Sequence, residues 1–242
     1  MRILHLGVLA LVVAIISGCA AHGPRKLDSA ELAHLQGRSD LTIVLYPRPP
    51  FKEYTGNEGR WALALGPIGY GISESGATSR GEEIRAKYGL SDTLVRVKDL
   101  FVSGIAPKLG VQTPFPVQDS VRSDDLGELR NALGPRLIID FRLFHWGIGA
   151  KTELIPFKEK RYRAGLIIRA RLIRLETRTI LWEAYCPSFR NRQADLHEAS
   201  LPDQAGWTSE ELTSNDSALL KAWYDKAAQV CAEQLLGQFL GR

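Results

Sequence analysis

The chain has 242 residues, 45% of them hydrophobic and 24% charged, the balance of a globular protein able to bury a sizeable core. Its 31 Lys and Arg stand against 27 Asp and Glu, a formal net charge of only +4. This small excess over many charges is not the clustered basic footprint that nucleic-acid binding needs, and no run beyond the N-terminus is apolar over the length of a membrane span.

Arg2 is followed by an apolar run over residues 3–16, interrupted only by His5 and Gly7. At about 1.5 Å per residue such a run cannot cross a hydrocarbon core of about 30 Å. A charge, a short apolar stretch and small residues have the form of a secretory signal peptide. Its end, Ile16-Ser17-Gly18-Cys19, resembles a bacterial lipobox. That resemblance implies cleavage before Cys19 and a diacylglycerol thioether on its sulfur. The alternative is an ordinary signal peptide with an incidental cysteine. One acyl chain holds weakly and two or three hold stably. Ala20 follows the cysteine, not Asp, and by resemblance to enterobacterial sorting this favours the outer membrane over the inner. The expected organisation is a signal peptide over 1–18, a lipidated tether over 19–40, and one periplasmic α/β domain over 41–242.

Within the tether one helical turn is expected near Ser29. "LTIVLY" (41–46) is β-branched and apolar, and "PRPP" stops it, so a strand is expected. The Gly- and Pro-rich stretch to residue 80 holds an apolar island, "WALALGPIGYGI", that suits either a strand or a small-residue helix. Leu94, Val97, Phe101 and Ile105 then recur at helical spacing, with Asp92 as N-cap and Pro107 as the stop. "VQTPFPV" can be only an edge strand, because Pro114 and Pro116 cannot donate to a ladder. "SDDLGELRNALG" reads as a short helix with acids in its first turn and Gly134 as its stop.

Three strands are expected over 136–146, 161–175 and 179–186. The second alternates cleanly. Its even positions are Tyr162, Ala164, Leu166, Ile168, Ala170 and Leu172, and its odd positions include Arg161, Arg163, Arg169 and Arg171. A half-buried antiparallel strand requires such alternation. Closing the last two strands as a hairpin over residues 176–178 sets Leu172 beside Trp182 and Ala170 beside Ala184. On the other face it sets Arg171 beside Glu183 and Arg169 beside Tyr185. Both faces agree on one register. Antiparallel pairing of the first two strands, with Trp146 near Arg163, would bring Asp140 to Arg169.

Residues 187–215 form a polar insertion. A closing helix then runs from about residue 214 towards Phe239, with Leu220, Trp223, Ala227, Val230, Cys231 and Leu235 as its apolar stripe. Cys186 is on the core side of its strand and Cys231 is on that stripe, so both sulfurs point into one layer. In an oxidising compartment this pair is expected to be a disulfide. The alternative is two buried thiols.

The stretch "YRAGLIIRARLIRLETRTILWEA" resembles the central hairpin of periplasmic lipoproteins related to the CsgG, LpoB and TolB N-terminal domains, over roughly residues 90–240. The resemblance implies an α/β sandwich of the α+β kind: a mostly antiparallel sheet with helices on one face. It also implies non-enzymatic work, binding a partner or assembling at the envelope.

No catalytic motif stands out. "GISESG" lacks the order of a nucleophile elbow, and "GPIGYG" lacks the lysine of a phosphate loop. His22, His34, His145 and His197 have no metal-ligand spacing, so neither metal nor cofactor is expected. His145 shares parity with Phe141 and Leu143 and is expected at the core edge, and Asp124-Asp125 is expected to be helix-start chemistry. Arg163, Arg169 and Arg171 with Trp146, Phe144, Ile167 and Tyr185 are expected on one sheet face. That face is either solvated, neutralised by Asp140 and Glu183, or a docking surface of the kind interfaces favour. The expected function is a lipid-anchored binding or assembly module for an envelope protein. The alternatives are a carrier or sensor of a lipid or small amphiphile, and a hydrolase with a dispersed site. Replacing Cys19 by Ala should release the protein from membranes or block its processing, as followed by membrane fractionation; unchanged anchorage with cleavage at the same place would contradict the lipobox.

Overall fold

The computed structural model describes residues 25–38, 40–55, 58–111, 115–150, 161–186 and 206–241, with residues 58–70 and 213 described by their backbone only. The signal segment, Cys19 and most of the polar insertion lie outside these residues. The order is α1 (Ser29–His34), β1 (Thr42–Leu45), β2 (Lys52–Tyr54), α2 (Glu58–Tyr88), α3 (Thr93–Ile105), β3 (Val117–Gln118), α4 (Leu126–Leu133), β4 (Leu137–Ala150), β5 (Tyr162–Arg174), β6 (Thr179–Cys186), α5 (Ser209–Thr213), a 3-10 turn and α6 (Ala218–Phe239). The island before residue 80 is therefore helical, inside the 31-residue α2.

The sheet order is β3-β1-β4-β5-β6, with β2 also on β4. The long strands β4, β5 and β6 pair antiparallel, whereas β1 and β2 run parallel to β4. β3 is a two-residue edge strand beside β1, as short as its flanking prolines require. The hairpin pairs Leu172 with Trp182, Arg171 with Glu183, Ala170 with Ala184 and Arg169 with Tyr185, the expected register.

The β4–β5 register departs from expectation in two ways. β4 continues to Ala150 rather than ending at Trp146, so the pairing slides by two residues and Asp140 faces Arg171, not Arg169. A bulge at Phe144 then separates the pair Leu143–Ile168 from the pair His145–Ile167. One extra residue inverts the parity of all that follows. Trp146 therefore pairs with Leu166 and is fully buried in the core, while His145 moves to the arginine face. The expected places of both residues are thus exchanged.

The main core lies between the sheet and helices α3 and α6. Phe51, Phe101, Phe141, Trp146, Trp182 and Phe239 meet there mostly edge to face, with ring centroids of 5.0 Å for Phe51–Trp146, 5.3 Å for Phe101–Phe141 and 5.1 Å for Trp182–Phe239. Asp92 caps α3 through the N–H groups of Leu94 and Val95, as its sequence position suggests. The disulfide Cys186–Cys231 joins β6 to α6 across this layer, with Cα atoms 5.3 Å apart. β2 is pressed between α2 and β4: a Cβ on Gly81 would stand 2.1 Å from the Phe51 carbonyl oxygen, and one on Gly147 would stand 2.2 Å from that of Lys52. From Arg25 onwards, the stretch read as tether lies against this domain, with Leu35 buried and Arg25 bridged to Glu183.

The opposite sheet face is also covered at one end. Leu129 of α4, with Val121, packs on Val44, Tyr46, Ile138, Ile173 and Leu175. Beside this second core Asp140 is 0%, Arg171 5% and Arg169 7% exposed, so the arginine side of β5 is not a solvated face. A buried ion pair weighs little in net stability, but removing one partner strands the other charge. Arg171→Ala is expected to cost about 3–5 kcal/mol, read as a drop in the denaturation midpoint, with Asp140→Ala costing a similar amount.

Candidate functional site: an arginine-clasped sheet face

Consecutive acids at the start of α4 divide two tasks. Asp125 is the N-cap and accepts from the N–H groups of Gly127 and Glu128. Asp124 is left to turn towards the sheet, where its carboxylate accepts from Arg169 Nη2 at 2.8 Å and pairs with Arg142 Nη1 at 2.6 Å. Its carbonyl accepts from Arg171 Nη2 at 3.3 Å. Burial alone would raise the Asp124 carboxyl; the hydrogen bonds and charges of Arg142 and Arg169 overcome it and hold the group at about 2. The expectation that both acids serve the helix start is corrected: one of them serves the sheet.

Deeper in the same layer Arg171 Nε donates to both Asp140 oxygens at 3.1 Å, and the Tyr46 hydroxyl donates to Asp140 at 2.7 Å. Burial and the Asp140 charge push the Tyr46 phenol well above its ordinary range. Arg169 Nε lies 3.9 Å from Glu183, which also accepts from the Tyr185 hydroxyl at 3.1 Å. Asp140, Arg171 and Glu183 stand in register across β4, β5 and β6, as do Arg142, Arg169 and Tyr185, and Tyr46 reaches Asp140 from the end of β1.

Towards the other end of the face the cover stops. The guanidinium carbons of Arg142 and Arg169 stand 5.1 and 5.2 Å from the ring centroid of Phe144, whose side of the strand is open: Phe144 is 41% exposed. Ile167 and Tyr185 beside it are half-buried, and Arg163 further along is exposed. Of the residues expected on this face, Arg163, Arg169, Arg171 and Tyr185 are there, and Trp146 is not. Arg142 and Asp124 were not expected as members. Arg142 shares the parity of Asp140, which could have found it. Asp124 is 45 residues from Arg169, a contact no local pattern encodes.

His145, brought to this side by the bulge, stacks on Tyr54 at 6.0 Å. Lys52 pairs with Glu74, and the Tyr54 hydroxyl donates to the same carboxylate at 2.9 Å. Burial first, and the Lys52 ammonium second, lower His145 to about 4, with Glu74 opposing. The serines of "GISESG" lie inside α2, on a helix rather than a strand-to-helix turn. His22 and His197 lie outside the described residues. Among the described residues no cluster of three or more His, Cys, Asp or Glu is placed to hold a metal, and no helix is long and apolar enough to cross a membrane.

No protein-family model and no curated protein sequence matches the chain. Among solved structures it is similar to a putative neuraminyllactose-binding hemagglutinin homolog from Helicobacter pylori, at 10% identity and TM-score 0.35 over 84% of each chain. It is also similar to the lipoprotein GNA1162 from Neisseria meningitidis, at 15% identity and TM-score 0.21 over 60% of this chain and 79% of that one. A third is the PelC dodecamer from Paraburkholderia phytofirmans, at 9% identity and TM-score 0.25 over 87% and 95%. At these values no property of those proteins passes to this chain.

Because the folded His145 titrates near 4 and an unfolded one at about 6.5, the unfolded chain binds the extra proton first as pH falls. Stability from this group is complete above about pH 6.5 and is lost between there and about pH 4, by roughly 3 kcal/mol. Urea melts across that window should show the slope in the native protein and its loss in His145→Gln.

Proposed function

We propose that this chain is an outer-membrane lipoprotein, held on the periplasmic side by acyl chains on Cys19, that works without catalysis by docking an envelope protein on the sheet face around Phe144. The observation that carries this reading is the exposed Phe144 ring with the guanidinium groups of Arg142 and Arg169 both packed against it. An aromatic anchor on a rigid strand, framed by guanidinium groups, is the arrangement that dominates binding energy at protein interfaces. Both cations are already fixed by Asp124, so the surface needs little ordering when a partner arrives. The lipobox and the resemblance of the hairpin to envelope lipoproteins support the location.

The carrier reading is weaker. It needs a cavity between sheet and helices, and that layer is filled by the aromatic side chains of Phe51, Phe101, Phe141, Trp146, Trp182 and Phe239.

Placing a photo-crosslinking amino acid at Phe144 in intact cells should give one discrete adduct with an envelope protein. The same amino acid at Leu219, a side chain equally exposed at 45%, should give none. Adducts at both positions, or at neither, would argue against a docking surface at Phe144.

A further inference from the structure

The first described residue is already part of the fold. Arg25 N–H donates to the Glu183 carbonyl at 2.9 Å, and Glu183 N–H donates back to the Arg25 carbonyl at 3.0 Å. This bridge lies on the outer edge of β6, the last strand of the sheet among the described residues. Five residues lie between Cys19 and Arg25, giving six Cα-to-Cα steps. Fully extended they reach about 20 Å, so a lipid on Cys19 would hold the β6 edge against the membrane surface.

A cavity of about 360 Å³ opens beside the bridge. Arg25, Lys26, Leu27 and Glu183 line it, Gln238 and Gly241 close it from the end of α6, and the buried Trp182 lies beneath its floor. Arg25 and Lys26 are exposed, and among the described residues neither has an ion-pair partner. Glu183, the one acid of the cavity lining, accepts from the Tyr185 hydroxyl and lies 3.9 Å from Arg169 Nε. Two uncompensated cations above an apolar wall call for an amphiphile with an anionic head.

We infer that this cavity seats the phosphate-bearing headgroup of an anionic phospholipid, fixing the domain with its β6 edge towards the bilayer. The phosphate meets Arg25 and Lys26, and the glycerol carbons meet Leu27. A volume of about 360 Å³ is at the small end for ligand sites, which fits a headgroup and not several acyl chains. The location rests on the anchored reading proposed above; the site itself does not, and the test is arranged to separate the two.

Every contact of the fold described above lies at or beyond Arg25, so a chain begun at Ala20 keeps it and carries no lipid of its own. Its cosedimentation is measured with phosphatidylcholine vesicles, with and without phosphatidylglycerol. Binding is expected only when phosphatidylglycerol is present. The double variant Arg25→Glu/Lys26→Glu is expected to bind about thirtyfold more weakly, from about 1 kcal/mol per cation at an anionic surface. The bridge at Arg25 is made by backbone atoms, so its side chain can change without loss of that contact. The control Lys87→Glu/Lys226→Glu, equal in charge change and placed elsewhere, is expected to bind as the native chain does. Three results would overturn the inference: undiminished binding by the first variant, an equal loss in the control, which would mean diffuse attraction, or abolition of vesicle binding by inorganic phosphate, which would mean a site for the free ion. Unchanged anchorage and processing in Cys19→Ala cells, with phosphatidylglycerol-dependent vesicle binding intact, would overturn the anchored reading alone; loss of anchorage in those cells with no vesicle binding would overturn the headgroup site alone.

Discussion

Asp124 and Asp140 set the terms on which both faces of the sheet can be closed. β4 and β5 are long strands with apolar residues on one side and arginines on the other. A sheet with three guanidinium groups in its middle can be covered only if each is matched, because an unmatched buried charge is far costlier than the area it hides. Asp140 comes from within the sheet and takes Arg171. Asp124 comes from the entrance to α4 and takes Arg142 and Arg169. Their positions let α4 lie down on Tyr46, Ile138 and Ile173 and make a second core. Where the carboxylates end, at Phe144, the cover ends too.

Much of this architecture was legible in the sequence because it is local. The β5–β6 hairpin is separated by a few residues, and two faces voted for one register. The disulfide followed from two independent periodicities, a strand's and a helix's, meeting in one layer. The caps Asp92 and Asp125 and the stop at Gly134 are one-turn chemistry. What could not be read was longer in range or smaller in size. The extension of β4 to Ala150 is paired with β5 on one side and on the other with β2, which meets Gly147 to Gly149 and is itself only three residues long. The bulge is a single residue, and nothing in "FRLFHWGIG" marks Phe144 as the extra one. Its consequence is large: it moved Trp146 from the supposed binding face into the core and His145 the other way. Tyr224 helps to hold this irregular stretch, its hydroxyl donating to the Gly147 carbonyl at 2.7 Å and accepting from the Gly147 N–H at 3.1 Å. The tether was misjudged for a related reason: it is polar, yet its backbone completes an edge that the sequence of β6 cannot show.

The two faces now carry different functional expectations. The aromatic layer under α3 and α6, stapled by Cys186–Cys231, is a scaffold with little room for a ligand. The arginine layer is closed at one end and open at the other, and the open end presents an aromatic ring on a strand that cannot easily move. A surface prepared in this way suits the docking role proposed above. The β6 edge, with the N-terminal strap across it, lies on the same strand as Tyr185 of that face, so anchorage and docking would share one rigid element.

The account rests on the arginine layer being ionised and closed around Asp124. Carboxyl-carbon NMR of Asp124 across an acid titration measures this directly. The clasp requires a midpoint near 2, far below the ordinary value of about 3.9 for an aspartate. A midpoint at the ordinary value would mean that Arg142 and Arg169 do not hold it, that the face is solvated, and that Phe144 is not the fixed centre described above.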